Sequence, residues 1–172
     1  GVGLGYVKDR YHQTPLRREG INRLVDFLRH NMPTNLHERV VLLWGSARTP
    51  GLLTDAARRS IRNDLLKAQN TDGGWTLPAM GDWPRLDGAP NDPNGPSDGY
   101  ATGLATLALC QKPQASDGNA IDDGLDWLKT HQRISGRWFT RSLYSDSAHN
   151  YLSNMATAYA LMAIRDCNVS GR

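Results

Sequence analysis

Two segments decide the fold: Gln69-Asn70-Thr71-Asp72-Gly73-Gly74-Trp75 and Gln132-Arg133-Ile134-Ser135-Gly136-Arg137-Trp138. Both read Q-x3-G-x-W, and they start 63 residues apart. A repeat at such a spacing marks a chain built from one recurring supersecondary unit. Each segment follows an amphipathic helical pattern. Ala57, Ile61, Leu65 and Ala68 precede the first, and Ile121, Leu125 and Leu128 precede the second. Spacings of three and four residues put these side chains on one helix face. Thr54-Asp55 and Ser116-Asp117 are candidate N-caps, because a short oxygen-bearing side chain can accept from the free N–H groups of a first turn. Gly73 and Gly136 are candidate stops, since glycine takes the left-handed conformation that ends many helices.

A different kind of helix follows each tryptophan. The stretch 101–109, Ala-Thr-Gly-Leu-Ala-Thr-Leu-Ala-Leu, aligns with 156–164, Ala-Thr-Ala-Tyr-Ala-Leu-Met-Ala-Ile. Both are apolar nearly all round, which predicts burial on most sides. A looser third pair precedes them: Ile21, Leu24, Val25 and Leu28, then Val40 to Trp44 after Pro33-Thr34-Asn35. The pattern predicts an all-α chain of three antiparallel helical hairpins. Amphipathic helices fall near 16–31, 55–70 and 117–132, and buried ones near 36–48, 98–111 and 151–166. Only Arg137 to Leu143 reads as a short extended piece. Outer helices with one wet face and inner helices covered on all sides satisfy the alternation.

Composition narrows the function classes. The 172 residues suit one domain, residues 16–167, after a segment 1–15 and with a long loop 76–97 inside it. The longest uninterrupted apolar run, Ala158 to Ile164, is seven residues, against the about 20 that cross a bilayer. No signal peptide is visible, and localisation stays open. Residues 1–62 hold eleven Lys/Arg against five acids, a net of +6, and the remainder nets −3. Arg58, Arg59 and Arg62 read as a solvated face. Without a basic stripe carrying stacking aromatics, nucleic acid is not expected as a partner. Cys110 and Cys167 match neither a disulfide framework nor a metal motif, and are expected as buried thiols.

The Q-x3-G-x-W element resembles the QW motif of squalene–hopene and oxidosqualene cyclases. That motif adds an aromatic and an aliphatic residue before the Gln; Trp127-Leu128 fits, and Asp64-Leu65 fits in its aliphatic part. The resemblance covers residues 16–167 at the level of pattern and extends to the protein prenyltransferase β subunits. It implies an α/α toroid of inner and outer helices, in which Gln69, Gly73, Trp75, Gln132, Gly136 and Trp138 are structural. A closed toroid of this kind uses about twelve helices, by fold-level analogy. About half a ring is therefore expected here, completed by the rest of a longer polypeptide or by a second copy.

The resemblance also locates the chemistry. Cyclases that protonate an alkene carry D-x-D-D-T-A at the start of an inner helix. Asp98-Gly99-Tyr100-Ala101-Thr102-Gly103 and Ser153-Asn154-Met155-Ala156-Thr157-Ala158 occupy those positions. The first Asp is present, Tyr100 stands where the proton donor belongs, and D-x-D-D occurs nowhere in the chain. Ser97 or Asp98 reads as a helix cap. The catalytic candidates are Asp98 and the two histidines that precede buried helices, His37 and His149; His12, His30 and His131 read as surface residues. The zinc set of the prenyltransferases, an Asp-x-Cys with a distant His, is missing. No metal and no cofactor are expected. Loop 76–97 reads as a proline-stiffened turn anchored by Trp83; Asp92, Asn94 and Gly95 fit a calcium loop, but Pro90 stands where its first acid belongs. Trp44, Tyr100, Tyr151 and Tyr159 are the candidate lining of an apolar cavity. The expected function is binding of an isoprenoid or other apolar ligand on the inner-helix side. A non-catalytic scaffold is the alternative. A polysaccharide-active toroid ranks last, because it needs paired carboxylates and Glu19 and Glu38 are the only glutamates.

Overall fold

A computed structural model describes residues 14–146 and 151–168. Among them lie six α-helices and no strand: α1 (Pro15–His30), α2 (Leu36–Ser46), α3 (Asp55–Lys67), α4 (Gly99–Cys110), α5 (Gly118–Thr130) and α6 (Tyr151–Asn168), with 3-10 turns at Leu77–Met80 and Ala115–Asp117. The all-helical expectation holds for the described residues. The extended piece expected at 137–143 forms no strand; its backbone bonds instead to α4, through Gly99 N–H to Phe139 O at 2.9 Å.

The helix ends follow from local chemistry. Asn35 Oδ1 accepts from Glu38 N at 2.8 Å, and Thr54 Oγ1 accepts from Ala57 N at 3.1 Å. Each satisfies a first-turn donor that has no intrahelical partner. At the start of α4, Asp98 Oδ1 accepts from Tyr100 N and Ala101 N. All twelve residues of α4 are buried, as its apolar sequence requires. It contacts α2, α5 and α6, with α3 against α2 and α5 also against α6. In α1, only Val25 is buried among the described side chains; that helix is tied on in part by Arg29, whose guanidinium donates to Gly51 O at 3.0 Å.

The two Q-x3-G-x-W turns make the same bonds. Trp75 Nε1 donates to Leu65 O and Trp138 Nε1 to Leu128 O, each at 2.8 Å and each ten residues back. Gln69 Nε2 donates to Gly73 O at 2.8 Å, and Gln132 Nε2 to Gly136 O at 2.9 Å. Trp75 N meets Thr102 Oγ1 at 2.9 Å, and Trp138 N meets Thr157 Oγ1 at 3.3 Å. Leu77 N reaches Asp98 Oδ2 at 2.6 Å, and Thr140 N reaches Ser153 Oγ at 3.2 Å. The two indoles are 0% and 2% exposed. Burying a tryptophan removes about 150–250 Å² from water, so each turn pins the helix before it to the helix that follows. Gly73 has a φ of +85°, and a Cβ there would stand 2.9 Å from that of Asp123; both the conformation and the space demand glycine.

Three expectations are corrected. Cys110 and Cys167 form a disulfide between the ends of α4 and α6, with a Cα–Cα distance of 5.5 Å. Arg62 is not solvated: its guanidinium is buried and paired with Asp117, and it donates to Leu109 O in the last turn of α4 at 3.3 Å and to Lys112 O just beyond it at 2.6 Å. A cation there complements the negative end of the helix dipole. Asp117 consequently caps no α-helix with its side chain; besides Arg62 it accepts from Gln114 N at 2.8 Å. No described helix is long and apolar enough to cross a membrane.

Candidate functional site

Asp98 sits where the resemblance puts the first acid, and its surroundings fix its role. The carboxylate is buried and accepts four hydrogen bonds: Tyr100 N at 2.9 Å, Ala101 N at 3.0 Å, Thr140 Oγ1 at 2.9 Å and Leu77 N at 2.6 Å. Burial pushes its pKa up, and these donors, led by Ala101 and Leu77, oppose the rise. Three of these donors converge on Oδ1 and one reaches Oδ2, and together they favour the ionised carboxylate. The geometry is that of a helix cap and a clasp for the two loops that follow Trp75 and Trp138. Asp98 also borders a 250 Å³ pocket beside Thr76, Pro78 and Phe139.

Three of the aromatic candidates, Trp44, Tyr100 and Tyr159, come together with His37 and Trp83. His37 Nε2 lies 2.9 Å from the Tyr100 hydroxyl. Trp83, on loop 76–97, stands edge-on to His37 with ring centroids 5.9 Å apart. Tyr159 stands edge-on to Tyr100 at 5.1 Å, and Trp44 edge-on to Tyr159 at 6.0 Å. The order Trp83, His37, Tyr100, Tyr159, Trp44 thus forms a continuous row across α2, α4, α6 and the long loop. T-shaped contacts of this kind suit the ring quadrupole.

Electrostatics keep this row neutral. Burial lowers the His37 pKa, with the charge of Glu38 opposing it. Burial first, then the neighbouring Tyr159 and the negative charge of Asp98, raises the Tyr100 phenol far above its usual value. The Tyr100 hydroxyl is hydrogen-bonded to both His37 Nε2 and Tyr159, so it links the imidazole to the second phenol of the row. The Trp44 indole N–H is buried without a hydrogen-bond partner.

A pocket of about 520 Å³ opens against one end of the row, lined by His37, Leu77, Trp83, Tyr100, Leu143 and Leu152, with Glu38 at its edge. This volume is in the range of small-molecule sites, about 300–1,000 Å³. Of the sequence candidates, His37 and Tyr100 line the pocket. Trp44 and Tyr159 support it from deeper in the row. Tyr151 stands exposed at the start of α6, and His149 lies outside the described residues. His30 is exposed, as is His131, whose ring stacks on Trp127 at 4.2 Å.

Loop 76–97 is held down by a buried side chain that sequence reasoning missed. Arg85 donates to Asp87 Oδ2 at 2.5 Å, Asp146 Oδ1 at 3.1 Å and Ser142 O at 2.6 Å. Arg141 holds Asp146 from the other side, at 2.8 Å. The short spacing of Arg85 to Asp87 was the available signal. Asp92 Oδ1 accepts from Asn94 N at 2.9 Å, an ordinary turn bond. No group of three or more His, Cys, Asp or Glu suited to a metal occurs among the described residues. Asp72 is committed to structure as well, accepting from Ser97 Oγ at 2.7 Å and from Trp127 Nε1 at 3.0 Å. No family model matches the sequence, and no curated protein matches it.

Proposed function

We propose that the chain is part of an α/α toroid that binds a neutral, isoprenoid-like apolar ligand and does not protonate it. In this reading α2, α4 and α6 are inner helices, α1, α3 and α5 are outer ones, and they pair as three antiparallel hairpins. The contacts of α4 with α2 and α6 support that arrangement. The observation that carries the ligand reading is the aromatic row ending in a 520 Å³ pocket walled by Leu77, Leu143 and Leu152. Each CH₂ moved from water into such a pocket contributes about 0.8 kcal/mol. The polar lining selects the head group. His37 is held neutral and Glu38 carries the charge, so an alcohol is accepted and a diphosphate is repelled. Alkene protonation lacks a strong donor in this reading, because the Asp98 carboxylate caps α4 and the Tyr100 phenol is held a still weaker acid than usual.

Calorimetry of the oxidised chain with farnesol, farnesyl diphosphate and squalene tests this reading. Saturable farnesol binding, weakened about tenfold in Tyr100→Ala by loss of one contact of about 1.4 kcal/mol, is expected, with weaker diphosphate binding. Absence of saturable binding by any of the three overturns the ligand reading. Cyclic products from squalene overturn the assignment of Asp98.

A further inference from the structure

Two pockets of equal size meet at one side chain. The ligand pocket of about 520 Å³ has His37, Leu77 and Trp83 in its wall. A second pocket, also of about 520 Å³, has Leu36, Pro78, Met80, Pro93 and Trp83 in its wall. Trp83 is the one described residue that borders both. Leu36 and His37 are consecutive at the start of α2, and Leu77 and Pro78 are consecutive in the 3-10 turn. In each pair one residue lines the second pocket and the other lines the first. The two pockets therefore lie side by side along the same two segments, with the half-buried indole between them.

The indole is held in place from two sides. His37 stands edge-on to it on the side of the first pocket, with ring centroids 5.9 Å apart. On the side of the second pocket, its six-membered ring lies against Gly81, where a Cβ would come within 2.7 Å of it. Gly81 has a φ of −179°, an extended conformation open to any residue, so the demand for glycine comes from the indole and not from the backbone. The loop itself is fixed without the indole. The Asn91 amide donates to the Trp83 carbonyl, Leu86 N donates to Tyr144 O at 2.9 Å, and Arg85 donates to Ser142 O at 2.6 Å. Truncating the Trp83 side chain leaves all three bonds in place.

We infer that the Trp83 indole is the wall that sets how long an apolar chain the ligand pocket admits. A chain that fills the first pocket stops against the indole. With the indole removed, the pocket gains the second volume, whose Leu36, Pro78, Met80 and Pro93 offer apolar surface to whatever continues into it. The inference rests on the ligand reading above and adds to it the length of the ligand and the residue that measures that length. The two variants that follow from the geometry act in opposite senses. Trp83→Ala opens the wall. Gly81→Ala places a methyl group on the second pocket's side of the indole and drives the ring into the first pocket, which shortens it.

Calorimetry of the oxidised full chain with geraniol, farnesol and geranylgeraniol, each one isoprene unit longer than the last, tests it. In the wild-type chain geranylgeraniol should bind no more tightly than farnesol. Each CH₂ that enters the joined volume strengthens binding about fourfold, so in Trp83→Ala geranylgeraniol should bind at least about tenfold more tightly than farnesol. In Gly81→Ala farnesol should weaken about tenfold relative to geraniol, by the same relation. A purely structural role for Trp83 would weaken all three alcohols by one factor, and would not move the length preference in opposite directions. Circular dichroism checks folding, and Trp83→Leu replaces Trp83→Ala if that variant unfolds. A ratio of geranylgeraniol to farnesol affinity that the Trp83 variant leaves unchanged overturns the inference while the ligand reading stands. Wild-type affinity that keeps rising through geranylgeraniol does the same. Absence of saturable binding by all three alcohols overturns both.

Discussion

Reducing the bond between Cys110 and Cys167 perturbs the fold at one defined point, the junction of the α4 and α6 ends. The two cysteines are separated by 57 residues in sequence. The chain-entropy relation for a loop of that length gives about 14 cal/mol/K, or about 4 kcal/mol at 25 °C. For a domain of this size, each kcal/mol moves Tm by about 2–4 °C, so reduction should lower Tm by about 8–16 °C. Cys110 is buried at the end of a helix that is itself buried throughout. The native packing there therefore survives loss of the bond, and the effect lies chiefly in the unfolded chain. The assay is thermal melting with and without dithiothreitol, repeated on Cys110→Ser/Cys167→Ser. The double variant should melt with the reduced protein and show no response to reductant. A thiol titration of the unreduced protein that finds two reactive cysteines, or a reductant shift below about 3 °C, would refute the reasoning.

Three other outcomes follow from the geometry. Trp75→Ala and Trp138→Ala each empty an equivalent buried site and should each cost about 3–5 kcal/mol in denaturant melts; a large effect for one and none for the other would break the equivalence of the two turns. Arg62→Met leaves Asp117 buried and unpaired, so it should cost about 3–5 kcal/mol, whereas Arg62→Met with Asp117→Leu should recover most of that; equal losses would show that the pair itself is not the issue. The acid response should come in two windows. His37 has a folded pKa below its unfolded value of about 6.5, so its contribution is complete above that pH and is lost as pH falls, a slope that His37→Gln should remove. Arg85 holds Asp87 at about 2, and Arg141 holds Asp146 at about 2. Their contribution is therefore complete above the unfolded value of about 4 and fades toward pH 2, which Trp83 fluorescence can follow.

The helices were legible because their signals are local. Each of the six begins within about two residues of the place its periodicity indicates, within the usual uncertainty of helix ends, and the Q-x3-G-x-W spacing identified two turns that make the same bonds. The cap role of Asp98 was also readable, since an Asp before a small-residue helix is a local pattern. What escaped was long-range. Nothing near Cys110 or Cys167 distinguishes a pair from two buried thiols until α4 and α6 are laid side by side. Arg62 looks like Arg58 and Arg59 in sequence, and only the approach of the α4 end and Asp117 separates it from them. Within the site, Tyr100 and His37 were visible as residues flanking buried helices. Leu77, Leu143 and Leu152 lie in or beside loops whose path depends on Asp98 and Arg85, so no periodicity marks them. Tyr151 was grouped with the lining by its place near an inner helix, but the first turn of α6 turns it to solvent.

The most direct test of the central claim is photolabelling with a diazirine-bearing farnesol, followed by peptide mapping of the oxidised chain. The account predicts labels on the segments that carry Leu77 and Trp83, on Tyr100, and on Leu143 and Leu152, all competed by unlabelled farnesol and all reduced in Tyr100→Ala. Labels confined to the exposed faces of α1 or α5, or labelling that unlabelled farnesol fails to compete, would contradict it.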